Sequence, residues 1–225
     1  MTTCPRFVGA PRRTTLAAAL IVLLAGAGAI PAAAQGSGSR AGVGFTGFVD
    51  AGVTSFAAAK TFDAVLDTHS GPVFGGGVEV TMRHAFVQVR GTWFTRTGER
   101  VFPFNGEVYK LGIPVDITVR PVDIVAGYRF DDGWRIVPYG GAGYTSVGYR
   151  ETSSFADQSE NIDTRHRGYV VMGGAEVRVW RWIGVAGEVS WSHVGGALGH
   201  DGMSKEFGES DLGGTTGRVK IVVGR

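Results

Sequence analysis

Residues 136–144 read Ile-Val-Pro-Tyr-Gly-Gly-Ala-Gly-Tyr, four β-formers set among three glycines and a proline. In water, glycine inside a strand weakens it, having no side chain to pack and the most backbone entropy to lose. Whether the stretch is strand or loop therefore turns on the solvent that the rest of the chain implies.

Beyond residue 41 the hydrophobic period is two. Val43, Phe45, Val49, Ala51 and Val53 alternate with Thr46 and Asp50, the pattern of a half-buried strand. The same alternation sets Phe74, Val78, Val80 and Met82 against Glu79, and Val87, Val89 and Trp93 against Gln88 and Arg90. It returns in Val171, Ala175 and Val177 against Glu176 and Arg178, in Val185, Val189 and Trp191 against Glu188, and in Val219, Ile221 and Val223 against Arg218 and Lys220. Between 107 and 130 the apolar positions switch from odd (Tyr109 to Val119) to even (Val122 to Phe130), so a register shift is expected near Arg120-Pro121. Either one strand bulges there or a tight turn divides two.

One strand there gives eight in all, at about 42–56, 73–82, 84–97, 107–130, 134–150, 166–180, 182–195 and 213–224, with long connections at one end and short turns at the other. That asymmetry and the even count are how outer-membrane barrels are built. The expected fold is all-β, an eight-stranded antiparallel up-and-down transmembrane β-barrel preceded by a signal peptide.

Arg6, Arg12 and Arg13, the apolar run Leu16–Ile30 and Ala32-Ala33-Ala34 before Gln35 have the three parts of a secretory signal; an uncleaved membrane anchor is the alternative. The chain divides into a signal peptide at 1–34, a short linker at 35–41 and a barrel at 42–225. Without residues 1–34, which hold three arginines and no acid, the formal charge falls from +2 to −1, which gives no footprint for nucleic acid. The one cysteine, Cys4, lies in the leader, so the exported chain has no disulfide framework. Glycine stays abundant, 34 in the remaining 191 residues, against a usual ~7%.

Alternation does not say which face is inside. In a lipocalin-like soluble barrel the apolar face points in; in an outer-membrane barrel it points to lipid. The polar face carries Asp50, Glu79, Arg90, Arg129, Glu176, Arg178, Glu188, Arg218 and Lys220, both signs at strand centres in near balance, which fits a narrow lumen crossed by ion pairs. Inward glycines would then make room for long charged neighbours, and those near Tyr139 and Tyr144 would let a ring lie over bare backbone. Tyr128, Phe130, Trp134 and Tyr139, with Trp180 and Trp182, are expected in the periplasmic aromatic girdle; Phe56, Trp93, Tyr149 and Trp191 are expected in the outer one.

These features, with Gly47-Phe48-Val49-Asp50-Ala51-Gly52-Val53, Ala126-Gly127-Tyr128-Arg129-Phe130 and Val137–Tyr144, resemble the small eight-stranded outer membrane protein β-barrel family (OmpA-, OmpX- and OmpW-like). The resemblance implies a monomer in the cell outer membrane, contact with outer-membrane lipid and lipopolysaccharide, and insertion by the barrel assembly machinery. Such barrels usually end in an aromatic residue, whereas this chain ends Val222-Val223-Gly224-Arg225.

No catalytic set, metal-ligand spacing or cofactor motif stands out. Ser192 and His193 are adjacent in a strand, hence on opposite faces. The loop acids Asp157, Glu160, Asp163, Asp201, Glu206, Glu209 and Asp211 match no calcium loop and read as a polar rim. A structural surface protein with no catalysis is the expectation. A passive channel for small or apolar solutes, a lipid-A-modifying barrel enzyme and a soluble periplasmic lipocalin-like binder are the alternatives.

Overall fold

The computed structural model describes residues 42–104, 107–131, 135–153, 162–199 and 202–224. Eight strands form one closed barrel: β1 (Val43–Phe56), β2 (Ser70–Met82), β3 (Ala85–Phe104), β4 (Glu107–Arg129), β5 (Ile136–Thr152), β6 (Ile162–Arg178), β7 (Ile183–His193) and β8 (Gly214–Gly224). Each pairs antiparallel with the next, and β8 returns to β1 with Ile221 opposite Val49. Closure matters because a strand edge left unpaired in hydrocarbon costs several kcal/mol per backbone group.

The apolar face points outward. Val43, Phe45, Val177 and Ile221 are exposed, as are Val78, Val87, Ile124, Val171, Val189 and Val219. In water so continuous a belt would be an aggregation surface; in lipid it is the matching solvent. On β4 the outward run from Phe130 to Val122 is apolar, and its rise of roughly 20 Å with strand tilt suits a hydrocarbon band.

Residues 136–144 are strand, paired with β4 from Arg129↔Tyr139 to Ile124↔Tyr144 and with β6 throughout. Their inward glycines are required by close approach. A Cβ on Gly143 would stand 2.0 Å from the Ile124 carbonyl oxygen, so no side chain fits there. The ring of Tyr139 lies over Gly174 of β6 rather than over its own neighbours. Charged neighbours also use bare backbone: a Cβ on Gly75 would meet Asp50, and one on Gly184 would meet Glu176.

The expected register shift near Arg120-Pro121 is absent. Pairing with β3 has the same register on both sides, Gly91↔Val122 and Phe94↔Val119, and pairing with β5 is unbroken. Odd residues of β4 point inward from Val115 to Arg129; what changes is the lining, charged below and apolar above. The irregularity lies higher, between Glu99 and Val101, within a β3–β4 hairpin whose strands run 20 and 23 residues where a loop was expected at 98–106.

Among the described residues the barrel carries two short helices that alternation did not reveal, α1 (Ala59–Leu66) between β1 and β2 and α2 (Gly202–Glu206) between β7 and β8. Both sit at the end opposite the short turns, the extracellular end by the usual arrangement of such barrels.

Candidate functional site

The interior is filled in layers. Nearest the short turns, Arg129 is ion-paired with both Glu79 and Glu176, and its guanidinium lies 5.4 Å from the Tyr139 ring centroid. In the middle layer Arg90 bridges Glu188 at 2.5 Å and Asp50 at 3.3 Å. Lys220 Nζ lies 3.5 Å from Glu188, donates to Gln88 Oε1 at 3.2 Å, and sits over the rings of Phe48 and Tyr139. Tyr139 donates its hydroxyl to Glu188 at 3.0 Å, and Arg218 reaches Ser190 and, at 3.9 Å, Asp50. Arg90, Lys220 and Gln88 are at most 1% exposed. Ion-selective pores line themselves with one sign of charge; here the two signs neutralise each other across the axis.

Above this layer the lining is apolar. Phe56, Val73, Phe94, Val115, Ile117, Val119, Val147, Val194 and Leu212 form one cluster with Phe62 and Leu66 of α1. Those two lie four residues apart, one helical turn, and so share the inward face. Phe62 stacks on Phe56 at 4.2 Å, and Phe56 meets Phe94 edge-on at 4.9 Å. Burial of each of these side chains contributes about 1.5–3 kcal/mol. The helix is a lid seated inside the mouth.

The lid is latched from the neighbouring β7–β8 connection. Ala58 caps α1 with no side-chain bond. Glu209 takes that role, accepting from the backbone of Lys60 at 3.1 Å and Thr61 at 2.8 Å and from the Thr61 hydroxyl at 2.7 Å. A carboxylate at a helix N-terminus is favoured by both hydrogen bonding and the helix dipole. At the other end of α1, Asp67 pairs with Lys110 of the hairpin at 2.5 Å, and that bond holds the Lys110 ammonium above its ordinary pKa. Gly98 lets the helix approach, since a Cβ there would stand 2.2 Å from the Val65 carbonyl oxygen. Glu209→Ala should loosen the latch by about 1 kcal/mol. Hydrogen exchange at α1 should then quicken roughly fivefold; unchanged exchange would show that the latch is idle.

A cavity of about 50 Å³ separates lid from ion layer, with Phe56, Phe94, Val119 and Leu212 above and Thr92, Asp123, Thr145 and Arg218 below. It has room for a few waters. At the turn end a vestibule of about 700 Å³ opens to solvent and ends on Arg129 and Glu176.

Eight of the nine charged candidates, Asp50, Glu79, Arg90, Arg129, Glu176, Glu188, Arg218 and Lys220, are buried inside. Arg178 is not; it stands at the rim with its side chain 53% exposed, paired with Asp131, because β6 ends there. Asp123, also buried, was missed, although it alternates with Val122 and Ile124. Among the aromatics, Tyr128, Phe130, Trp180 and Trp182 are exposed at the turn end, and Trp93 and Trp191 are exposed higher up. Tyr139 belongs to the lumen, 4% exposed, since it shares its face with Val137 and Thr145. Tyr149 also points inward, packs on the lid cluster and donates to Glu151, and Phe56 sits under the lid. The outer girdle is instead completed by Tyr144 and Tyr169, paired side by side. Trp134, Asp157, Glu160 and Asp201 lie outside the described residues.

Glu209 and Asp211 are not merely a polar rim. Asp211 accepts from the backbone of Val194 and Gly213 and holds His193 at 2.7 Å. His193 faces outward between Tyr169 and Trp191, while Ser192 lies on the opposite face.

The family model described as outer membrane protein beta-barrel domain matches residues 20–217. The chain belongs to that family. Its place is therefore the outer membrane, and the outward apolar belt meets lipid. The barrel is similar to a major outer membrane protein from Thermus thermophilus, with a TM-score of 0.56 and 10% identity over 81% of this chain and 99% of that one. Neisserial surface protein A is similar with a TM-score of 0.48 and 12% identity over 81% and 98%. Identities this low speak to the fold alone. No curated protein matches in sequence.

Proposed function

We propose that this outer-membrane barrel neither conducts nor catalyses, and that it acts through its outer surface as a contact protein. The observation that carries this reading is the filled lumen: a buried ion network under an apolar lid leaves no described water path along the axis. A constriction lined by apolar side chains excludes water and ions by dewetting, so a passive channel is disfavoured. At His193 no nucleophile for a lipid-modifying role stands beside the ring, since His193 is held by Asp211 and Ser192 points the other way.

The part presented outward is the β3–β4 hairpin. Near its tip Phe102, Val108, Tyr109 and Leu111 are exposed, with Phe102 directly opposite Tyr109. Aromatic and aliphatic groups raised above the lipid in this way suit a protein contact.

Planar bilayer recording tests the reading. Purified refolded barrel should leave the membrane current at its lipid background. Stable unitary steps from the unaltered protein would overturn the proposal and return the passive channel.

A further inference from the structure

On three adjacent strands the apolar outward face ends at one height, and on the two flanking ones it turns basic. Going up β4 it runs Tyr128, Ala126, Ile124, Val122, then Arg120; on β5 Pro138, Gly140, Ala142, Tyr144, then Ser146 and Gly148; on β6 Val177, Ala175, Gly173, Val171, Tyr169, then Arg167 and Arg165. Arg120, Arg165 and Arg167 are exposed. The pairing puts Arg120 beside Gly148 and Gly148 beside Arg165, while Ser146 pairs with Arg167 just below. Arg120 and Arg165 thus flank a bare glycine. Strands are spaced ~4.8 Å apart, so their Cα atoms stand roughly 10 Å apart, a span over which two guanidinium groups can converge on one tetrahedral anion.

The space between them is open. A Cβ on Gly148 would find nothing nearer than the Arg120 carbonyl oxygen at 3.8 Å. Higher up, Arg150 is already paired with Asp163 at 2.9 Å, whereas Arg120, Arg165 and Arg167 have no ion pair among the described residues. Elsewhere at this height the wall is uncharged on β1, β2, β3 and β8, with Ser55, Pro72, Thr95 and Thr215.

We propose that Arg120, Arg165 and Arg167 around Gly148 form a lateral seat for a phosphate of an outer-leaflet glycolipid headgroup of the lipopolysaccharide type. The seat faces sideways rather than up, directly above Tyr144 and Tyr169, so its ligand carries an anion on top of a body that lies along Ile124, Ala142 and Val171. A lipid meets that description and a soluble anion does not. Three arginines and one hydroxyl supply directed donors where phosphate oxygens lie, in a dielectric lowered by the neighbouring hydrocarbon.

The test uses the full folded barrel in neutral detergent, with native mass spectrometry reading retained bisphosphoryl lipid A. The probes are that lipid, its dephosphorylated form and inorganic phosphate as competitor. Arg120→Gln/Arg165→Gln/Arg167→Gln should weaken retention on the order of a hundredfold, three charges at roughly fivefold each. Gly148→Leu, which fills the seat and removes no charge, should also weaken it, and each variant's fold is checked by heat-dependent gel mobility. Dephosphorylated lipid should bind as poorly to the native chain as bisphosphoryl lipid does to the triple variant. Retention by the folded triple variant within twofold of the native chain, or equal retention of dephosphorylated lipid, overturns the proposal. Competition by inorganic phosphate at the concentration of the lipid would make this a soluble-anion site and overturn the lipid assignment.

Discussion

Glu188→Gln should cost the barrel about 3–5 kcal/mol of unfolding free energy, the usual penalty for removing one partner of a buried ion pair. The side chain is the hub of the middle layer: both carboxylate oxygens contact Arg90, Lys220 lies within 3.5 Å and Tyr139 donates to it. The amide keeps the volume and one acceptor but not the charge, and Arg90 and Lys220 are then left to share Asp50, which already meets Arg90 at 3.3 Å, in a low dielectric. Arg90→Met added to Glu188→Gln should recover part of the loss, because it removes the orphaned cation. Urea titration in lipid vesicles, followed by gel mobility, measures both. A single variant as stable as the native chain would mean that water penetrates the layer and that its ion pairs are worth no more than surface ones.

The barrel was legible because a period of two survives in almost every strand, and its orientation because Asp50, Arg90, Glu188 and Lys220 put both signs on the face opposite valine and phenylalanine. What could not be read depended on partners far along the chain. The apolar run Val115–Val119 looked like a register shift because its face is set by α1, which lies some fifty residues away in sequence, and not by the strand's own pairing. Phe62, Val65 and Leu66 already had helical spacing, but eight residues are too few to hold a helix in water without help. The help comes from Glu209, 148 residues from Thr61. Tyr139 was misplaced for a different reason: its outward neighbours include Gly140 and Ala142, whose small side chains dilute the alternation that would have shown it facing inward with Val137. Asp123 was readable, since it shares with Arg129 the face opposite Val122, Ile124 and Tyr128.

Opening the lumen should require breaking both the lid and the charged layers beneath it, and neither alone. Phe62→Ser with Leu66→Ser removes the buried face of α1, so the lid loses the apolar contacts that hold it against Phe56 and Phe94. Beneath it the ion layer still closes the section, because Arg90, Lys220 and Gln88 are buried by one another rather than by the lid. This variant should remain silent in a planar bilayer. Arg90→Ser with Glu188→Ser removes the largest pair from the middle layer and takes away equal and opposite charge, leaving space for water; but the mouth above remains lined by aromatic and aliphatic groups that water does not wet, so it too should stay silent. The four substitutions, combined with Arg129→Ser and Glu176→Ser to open the charged layer on which the turn-side vestibule ends, should join that vestibule through the 50 Å³ cavity to the outer mouth and give measurable unitary current. Current from the lid variant alone would show that the charged layer leaks. Current from the ion-layer variant alone would show that the lid opens spontaneously on the recording timescale, and the strength of the Glu209 latch would then set the open fraction.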